Sequence, residues 1–166
     1  MNHYQPEFDR HVHESFLNRA IDISKAALSV PGATPFGALV VIGGEVVAEG
    51  MSLVIHKHDP TAHAEVEAIR NAAIRIGNHL LQGATLYSSS EPCPLCLMAC
   101  YWAEIQTVIF AAHTTDVSMH GFQDLAYYQQ LKLATSERSI SEVTASEDFR
   151  ARAVDVLDSW REIREE

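Results

Sequence analysis

The sequence predicts an α/β fold, a three-layer α/β/α sandwich built around a mixed five-stranded sheet. Short apolar, β-branched segments alternate with longer segments whose apolar residues recur at helical spacing. Only two glycines separate the first two apolar segments, as in an antiparallel hairpin, whereas helices separate the later ones, as in crossover connections. A sheet that starts with a hairpin and continues through crossover helices is mixed and has helices on its faces.

The first elements are a helix and the hairpin. Apolar residues recur every three or four positions over residues 16–28, and Pro31-Gly32 follows, which predicts an amphipathic helix with a defined end. Residues 37–42 and 45–49 are the strands of the hairpin, and Gly43-Gly44 is its turn. We expect the helix to pack against this sheet.

A second helix is predicted after a polar loop over residues 52–60. Pro60 with Thr61 fits the start of a helix over about residues 62–76, with His63 in its first turn. Backbone N–H groups at such a helix start are unpaired, and the helix dipole is positive there. The residues expected to face the core are Val66, Ile69, Ala73 and Ile76.

The rest of the chain continues the alternation of strand and helix. The predicted elements are a strand over residues 84–89, a helix over 93–103, a strand over 107–112, a helix over 125–133, a weaker strand over 140–144 and a terminal helix over 147–166. The terminal helix has an apolar stripe that ends near Trp160. No repeat, linker or low-complexity segment interrupts the chain, so residues 1–166 are expected to form a single domain.

Composition and charge limit the classes of partner. The chain is 47% hydrophobic and 20% charged, as is ordinary for a globular domain, and it lacks the run of about eighteen apolar residues that a membrane span needs. Its N-terminus lacks the apolar segment of a signal peptide, so the cytoplasm is the expected location. The net charge of −10, from 12 basic and 22 acidic residues, disfavours nucleic acid as a partner and favours a small molecule.

Two segments carry metal-binding residues. Thr61-Ala62-His63-Ala64-Glu65 contains an imidazole, and Glu91-Pro92-Cys93-Pro94-Leu95-Cys96 contains two thiols. One histidine and two cysteines are three of the four ligands of a tetrahedral zinc ion, and they leave the fourth position open for water, as catalytic zinc sites do. Glu65 follows the histidine by two residues and could move protons to and from that water.

Each part of this pattern also has a simpler interpretation. A Cys-x-x-Cys pair can be a redox pair or half of a structural zinc site, and Glu65 can be a solvated carboxylate at a helix start. A structural site would need further soft ligands, and the only other cysteine, Cys100, is better explained as a small buried apolar residue. His56 and His58 are expected at the surface, with a second metal or a substrate contact as the alternative. Because the histidine, the glutamate and the cysteine pair occur together, the catalytic zinc site is favoured.

These motifs resemble those of the cytidine deaminase-like superfamily, and within it the chain resembles the small bacterial guanine deaminases over nearly its whole length. The resemblance implies a hydrolytic deaminase of a free base, with zinc (Zn2+) held by His63, Cys93 and Cys96 and with Glu65 as the catalytic proton-transfer residue. The motifs that carry it are Pro35-Phe36-Gly37-Ala38, Asp59-Pro60-Thr61-Ala62-His63-Ala64-Glu65, Glu91-Pro92-Cys93-Pro94-Leu95-Cys96, Tyr101-Trp102-Ala103 and Gly121-Phe122-Gln123-Asp124.

The resemblance also implies the residues that contact the base. Phe36 would line or stack on the ring, Asp124 would contact the purine, and Ser52 and Ala64 would complete the binding site. The family usually has Asn-x-Val where this chain has Ser52-Leu53-Val54. A hydroxyl offers one donor and reaches less far than an amide. Three interpretations of Ser52 therefore stay open. A water bridges its hydroxyl to the base, the hydroxyl binds a different edge of the ring, or the substrate is a different compound.

Guanine deaminases of this type exchange their C-terminal segments between subunits, so the resemblance implies a homodimer. The helix over residues 147–166 would then either be exchanged or dock on its own subunit. In the family an aromatic residue near the chain end reaches the partner's pocket, whereas this chain ends Trp160-Arg161-Glu162-Ile163-Arg164-Glu165-Glu166 without a tyrosine.

Three other functions stay open at this point. A deaminase of another small amino-heterocycle, such as cytosine, creatinine or an aminotriazine, would share the zinc motifs and differ in its base contacts. A tRNA adenosine deaminase would need a basic surface, which the net charge of −10 disfavours. A zinc-stabilised binding protein without activity would need the metal ligands but not Glu65.

Overall fold

The structure, a computed structural model, describes residues 9–165. Residues 1–8 and Glu166, the two ends of the predicted domain, lie outside the described residues. The helices and strands are α1 (Arg10–Ala27), β1 (Thr34–Ile42), β2 (Glu45–Ser52), α2 (Val54–Lys57), α3 (Ala64–Ile76), β3 (Ala84–Ser90), α4 (Pro94–Trp102), β4 (Thr107–Ala112), α5 (Thr114–Met119), α6 (Asp124–Lys132), a 3₁₀ helix (Thr135–Glu137) and α7 (Glu147–Glu165). The chain divides into two compact units after Tyr128. Over the described residues, no helix is both long enough and apolar enough to cross a membrane.

The first unit is organised around a four-stranded sheet with the strand order β2-β1-β3-β4. β1 pairs antiparallel with β2 and with β3, and β3 pairs parallel with β4. The prediction of an α/β fold with a mixed sheet is therefore confirmed. Both hairpin strands are longer than expected, and Thr34 at the start of β1 pairs with Ser52 at the end of β2.

The expectation of a fifth strand over residues 140–144 is wrong. The sheet has four strands, and in the described part of the second unit this segment lies between the 3₁₀ helix and α7 without pairing. Ile140 is 73% exposed and Val143 is 87% exposed. Residues three apart point to opposite faces of a strand, so neither face of this segment would be apolar. The segment consequently has no apolar face to bury by joining a sheet.

The second unit contains the predicted terminal helix, which is present as α7 from Glu147 onward. Its apolar stripe is exposed to solvent along the whole helix. The large exposed residues of the stripe are Phe149, Val156, Leu157 and Trp160, and Ile163 extends it beyond the predicted end.

Helices lie on both faces of the sheet, so the first unit has three layers. Alternate residues of β1 point to opposite faces: Ala38 and Val40 pack with α3 and α4, whereas Leu39 and Val41 pack with α1. The larger of the two cores is the one under α3 and α4. The candidate site lies on this side, because both of its motifs are at the N-termini of these helices.

α3 turns a face of small residues toward the sheet, which differs from the expected face. Ala64, Ala68 and Ala72 are fully buried, whereas Ile76, expected in the core, is 44% exposed. The other residues expected in the core, Val66, Ile69 and Ala73, are partly buried, and Ile69 and Ala73 pack against the core as expected. Small residues are required because β2 passes very close to α3 at Gly50, where an added Cβ would overlap backbone atoms of α3.

Replacement of Gly50 by alanine should therefore lower the free energy of unfolding by about 3 kcal/mol, the upper range for overpacking, because the methyl group meets the Ala64 carbonyl oxygen and the Ala68 amide nitrogen. The matched control is Gly43→Ala in the hairpin turn, where φ is +59° and an added Cβ meets nothing within 4 Å. That change should cost only about 1 kcal/mol of backbone strain. Urea denaturation measures both, and equal losses in the two variants would contradict the close approach of β2 and α3.

Candidate active site

The two sulfur donors and the one nitrogen donor lie at the N-termini of two helices. His63 is the N-cap residue of α3 and Cys93 is the N-cap residue of α4, with extended backbones at ψ 155° and ψ 170°. Cys96 follows in the first turn of α4. His63 thus lies one residue before the helix rather than inside its first turn, since an N-cap residue keeps a non-helical backbone conformation.

The distances among these donors fit a metal ion. His63 Nδ1 lies 3.5 Å from Cys93 Sγ and 3.5 Å from Cys96 Sγ, and the two sulfurs are 3.6 Å apart. Zinc bonds of about 2.0 to 2.3 Å at tetrahedral angles place sulfurs about 3.8 Å apart and a nitrogen about 3.6 Å from each sulfur. The residues present therefore match three corners of a zinc tetrahedron. Within residues 9–165, no other group of three such side chains comes together.

The three groups shift one another's pKa values. The contact between the two sulfurs lowers the pKa of Cys93 to about 4, and the same contact, together with burial, raises the pKa of Cys96. The hydrogen bond with Cys93 raises the pKa of His63. The lowered pKa of Cys93 favours a thiolate beside the imidazole, and thiolate and imidazole are the donors that zinc prefers.

Glu65 adjoins this cluster in the first turn of α3 and is only 4% exposed. Its Oε2 lies 3.3 Å from Cys96 Sγ, and its Oε1 accepts a hydrogen bond from Ser88 Oγ at 3.2 Å. Burial raises the pKa of the Glu65 carboxyl above its ordinary value. The structure thus brings the four residues predicted for the centre together, and it adds Ser88, which the sequence analysis did not single out.

A cavity of about 260 Å³ opens onto the centre. The four residues expected to contact a base line this one cavity together with His63 and Glu65; they are Phe36, Ser52, Ala64 and Asp124. Phe122 lines it as well, and its ring meets the Phe36 ring edge to face, with 4.7 Å between ring centroids. The cavity has the size and the mixture of aromatic and polar groups that suit a small flat ring.

The Ser52 hydroxyl is hydrogen-bonded to a second residue of the cavity wall. The Thr34 hydroxyl donates a hydrogen bond to Ser52 Oγ at 2.5 Å, across the open end of the β1–β2 hairpin. Ser52 is 3% exposed, and Thr34 also lines the cavity. The sequence analysis missed Thr34 because the hairpin was expected to open at Gly37 rather than three residues earlier.

Asp124 is the first residue of α6, and burial raises the pKa of its carboxyl. The Tyr128 hydroxyl, one turn further along α6, donates to the Pro92 carbonyl oxygen at 2.8 Å. This bond ties α6 to the residue before Cys93. Burial raises the pKa of Tyr128 to about 12. Tyr128, like Ser88 and Thr34, was not found from the sequence, because a lone tyrosine on a helix has no distinctive pattern.

The remaining candidates of the sequence analysis lie away from the centre. Cys100 is 2% exposed in the apolar core, where burial raises the pKa of its thiol to about 12. His56 and His58 are exposed, and His56 Nδ1 lies 3.1 Å from the Pro31 carbonyl oxygen.

α2 is fixed to α3 beside the cavity by an ion cluster. The Glu67 carboxylate is 5% exposed and pairs with Lys57 at 2.5 Å and with Arg70. Lys57 ends α2, whose residues Val54 and Ile55 line the cavity. The cluster therefore supports the wall of the cavity without reaching into it.

The chain is similar in sequence and in structure to known proteins. Residues 10–112 match the model of the cytidine and deoxycytidylate deaminase zinc-binding region. The chain is 43% identical to guanine deaminase of Bacillus subtilis over 128 residues, which is 77% of this chain and 82% of that protein. It is 39% identical to the tRNA-specific adenosine deaminase of Aquifex aeolicus over 99 residues, which is 60% of this chain and 65% of that protein. The crystal structure of the Bacillus subtilis guanine deaminase superimposes with a TM-score of 0.84 at 38% identity, covering 90% of this chain and 94% of that one.

Proposed function

The chain belongs to the cytidine and deoxycytidylate deaminase family of zinc-binding aminohydrolases, and we propose that it converts guanine to xanthine and ammonia. The observation that carries the proposal is the juxtaposition of the His63, Cys93 and Cys96 donors with the buried Glu65 carboxylate at one end of a ring-sized cavity. Similarity to the Bacillus subtilis guanine deaminase over most of both chains supports guanine as the substrate.

His63, Cys93 and Cys96 would hold the zinc ion, because their three donor atoms lie at the corner-to-corner distances of a zinc tetrahedron. A zinc ion held by these three ligands would lower the pKa of water towards about 7 and so would supply a nucleophile at neutral pH. The exposed amides at the N-termini of α3 and α4 favour negative charge at the same place.

Glu65 would carry the protons. Its Oε2 is on the side of Cys96 and therefore faces the reaction centre, while its Oε1 is held by Ser88. We assign to Oε2 the transfer of the first proton of the attacking water to a ring nitrogen, and then the transfer of the second proton, from the newly added hydroxyl, to the departing amine. The carbon that bears the amine gains an oxygen, and ammonia leaves.

The cavity walls would orient the ring. Phe36 and Phe122 offer aromatic surface to a flat purine, and the Asp124 carboxylate can accept hydrogen bonds from the ring N–H and amino groups of guanine. Ser52, supported by Thr34, offers a hydroxyl in place of the family's amide. Ala64 closes the wall beside His63 with a side chain too small to obstruct a ring.

The proposal is tested by following guanine and xanthine by chromatography together with released ammonia. The zinc-loaded protein should form xanthine and ammonia in equal amounts, and chelated protein should form neither. Absence of xanthine with the zinc-loaded protein would contradict the proposal.

The second candidate is a tRNA adenosine deaminase, since those relatives share the zinc motifs, but the net charge of −10 disfavours a tRNA surface.

The three cysteines are free thiols, which suits a reducing cytoplasm, so we extend the proposal to a cytoplasmic enzyme.

We further propose that the protein is a homodimer. The subunits would be joined through the outer face of α3 and α4, which is the face turned away from the sheet. A groove of about 520 Å³ on this face is lined mainly by apolar side chains, including those of Ile69, Met98 and Trp102. Trp102 is 83% exposed and its neighbour Tyr101 is 69% exposed. An apolar surface of this kind is typical of an interaction site, and a two-fold axis would place each Trp102 against the groove of the partner.

Trp102→Arg should convert the dimer to a monomer, because a buried guanidinium would be left without a partner in the apolar groove. Light scattering coupled to size exclusion measures the mass. The matched control is Leu28→Arg, which alters a residue that is 74% exposed just after α1, on the opposite side of the sheet. A monomeric wild type, or dissociation by the control as well, would contradict the assigned interface.

We also propose that α7 is exchanged between the subunits, since its apolar stripe is exposed. A chain that ends before Glu147 should then lose activity through loss of the partner's contribution. A truncated chain with full activity would show that α7 does not complete the partner's pocket.

A further inference from the structure

We propose that Ser88 is a positioning residue, whose hydroxyl holds the Glu65 carboxylate so that one of its oxygens faces the metal centre. The inference rests on the proposed function and extends it to a residue outside the recognised motifs. Ser88 is 0% exposed and lies on β3, where it is paired with Ala38 of β1 on one side and Phe110 of β4 on the other. Because the strand is paired on both sides, the backbone that carries the Ser88 side chain is held in place, which suits a positioning role.

The hydrogen bonds around Ser88 set the direction of its proton. The Ser90 N–H donates to Ser88 Oγ at 3.4 Å, within the same strand. With that N–H approaching the hydroxyl oxygen, the Ser88 proton is left to point at its other neighbour, Glu65 Oε1, at 3.2 Å. The pairing of a neutral hydroxyl with a carboxylate oxygen is the charge-assisted kind, which is stronger than a bond between neutral groups.

The two oxygens of Glu65 thereby acquire different tasks. Oε1 is engaged by Ser88 on the sheet side, and Oε2 lies 3.3 Å from Cys96 Sγ on the side of the three donors. Proton transfer requires the carboxylate oxygen within about 2.6 to 3.2 Å of the reacting group, so rotation of the carboxylate about its last bond would remove Oε2 from reach. Loss of the Ser88 hydroxyl frees that rotation without touching the substrate or the metal ligands.

The positioning role is tested with two variants, Ser88→Ala and Ser88→Thr, and a matched control. The control is Thr85→Val, which removes a hydroxyl from the same strand on the opposite face of the sheet, the face turned to α1. Ser88→Ala should lower kcat about 10- to 100-fold while KM for guanine and the zinc content per chain stay at wild-type values. Ser88→Thr keeps the hydroxyl and should recover most of kcat, and Thr85→Val should match the wild type.

A second readout does not depend on activity. In crystals of the zinc-loaded wild type, Ser88 Oγ should lie within hydrogen-bond distance of Glu65 Oε1, and in Ser88→Ala the carboxylate should be rotated or split between two orientations. Loss of zinc or a raised KM in Ser88→Ala would show a merely structural role and overturn the inference. An unchanged kcat, or an unrotated carboxylate, would overturn it as well. If the wild type forms no xanthine, the proposed function fails, and the carboxylate orientation in the crystals still decides the role of Ser88.

Discussion

Glu65→Ala should reduce ammonia release by about 10²- to 10⁴-fold while the protein keeps its fold and its zinc. The reason is the position of the carboxylate, which is 4% exposed and lies with Oε2 3.3 Å from Cys96 Sγ, beside the donor cluster where the proposed proton transfers take place. Glu65→Gln keeps the shape of the side chain and should lose as much activity, because an amide cannot accept and return the proton. Turnover rates and zinc content, measured on the same samples, check this expectation.

The matched control for Glu65 is Glu67→Gln, two residues further along the same helix. Glu67 is equally buried but pairs with Lys57 and Arg70, outside the cavity. Its loss should lower the thermal midpoint, since two cations lose their partner, and leave kcat within a few fold of the wild type. A Glu65→Ala variant with near-native turnover would refute the assignment of Glu65 as the proton carrier.

Cys96→Ala should abolish stable zinc binding and, with it, turnover. Cys96 is one of only three donors in the cluster, so its removal should cost more than the roughly 10- to 100-fold in affinity typical of changes around a metal site. Because a metal that binds the folded state stabilises it, zinc should raise the thermal midpoint of the wild type but not that of the variant. Zinc per chain after dialysis and thermal denaturation with and without zinc measure the two effects.

The third cysteine provides the control for this experiment. Cys100 lies one turn beyond Cys96 on α4 but is buried in the apolar core and is not part of the donor cluster. Cys100→Ala should keep one zinc per chain and lose only the stability expected for a small change in core volume. Zinc retained by Cys96→Ala and lost by Cys100→Ala would contradict the ligand assignment.

The residues of the donor cluster were predictable because each half of the cluster is local in sequence. His63 and Glu65 are two residues apart, Cys93 and Cys96 are three apart, and each pair lies at the start of a helix. The ligand types then indicated that the two pairs meet at one zinc ion. The hairpin was predictable for a similar reason, since Gly43 and Gly44 supply the positive φ angles of a tight turn.

The supporting residues could not be predicted, because they depend on contacts between distant segments. Ser88 is 23 residues from Glu65, and Tyr128 is 36 residues from Pro92. A single serine in a strand or tyrosine on a helix has no spacing that distinguishes it from its neighbours. The buried face of α3 was only partly predicted for the same reason: Ile69 and Ala73 pack against the core as expected, but the most deeply buried residues are the alanines that face β2. The close approach of β2 at Gly50 requires small residues there, and the sequence of the helix alone does not reveal that approach.

Rates of ammonia release from different rings test the central claim most directly. The zinc-loaded protein would be assayed with guanine, adenine, cytosine, their nucleosides, creatinine, an aminotriazine and a tRNA anticodon stem-loop, with Glu65→Ala as the blank. We predict a kcat/KM for guanine at least about 100-fold above that of every other compound, because the chain resembles a guanine deaminase over most of both chains and because guanine presents a ring N–H and an amino group side by side to the proposed acceptor Asp124. A higher kcat/KM for another ring or for the tRNA would contradict guanine as the substrate and would assign the same chemistry to that compound instead.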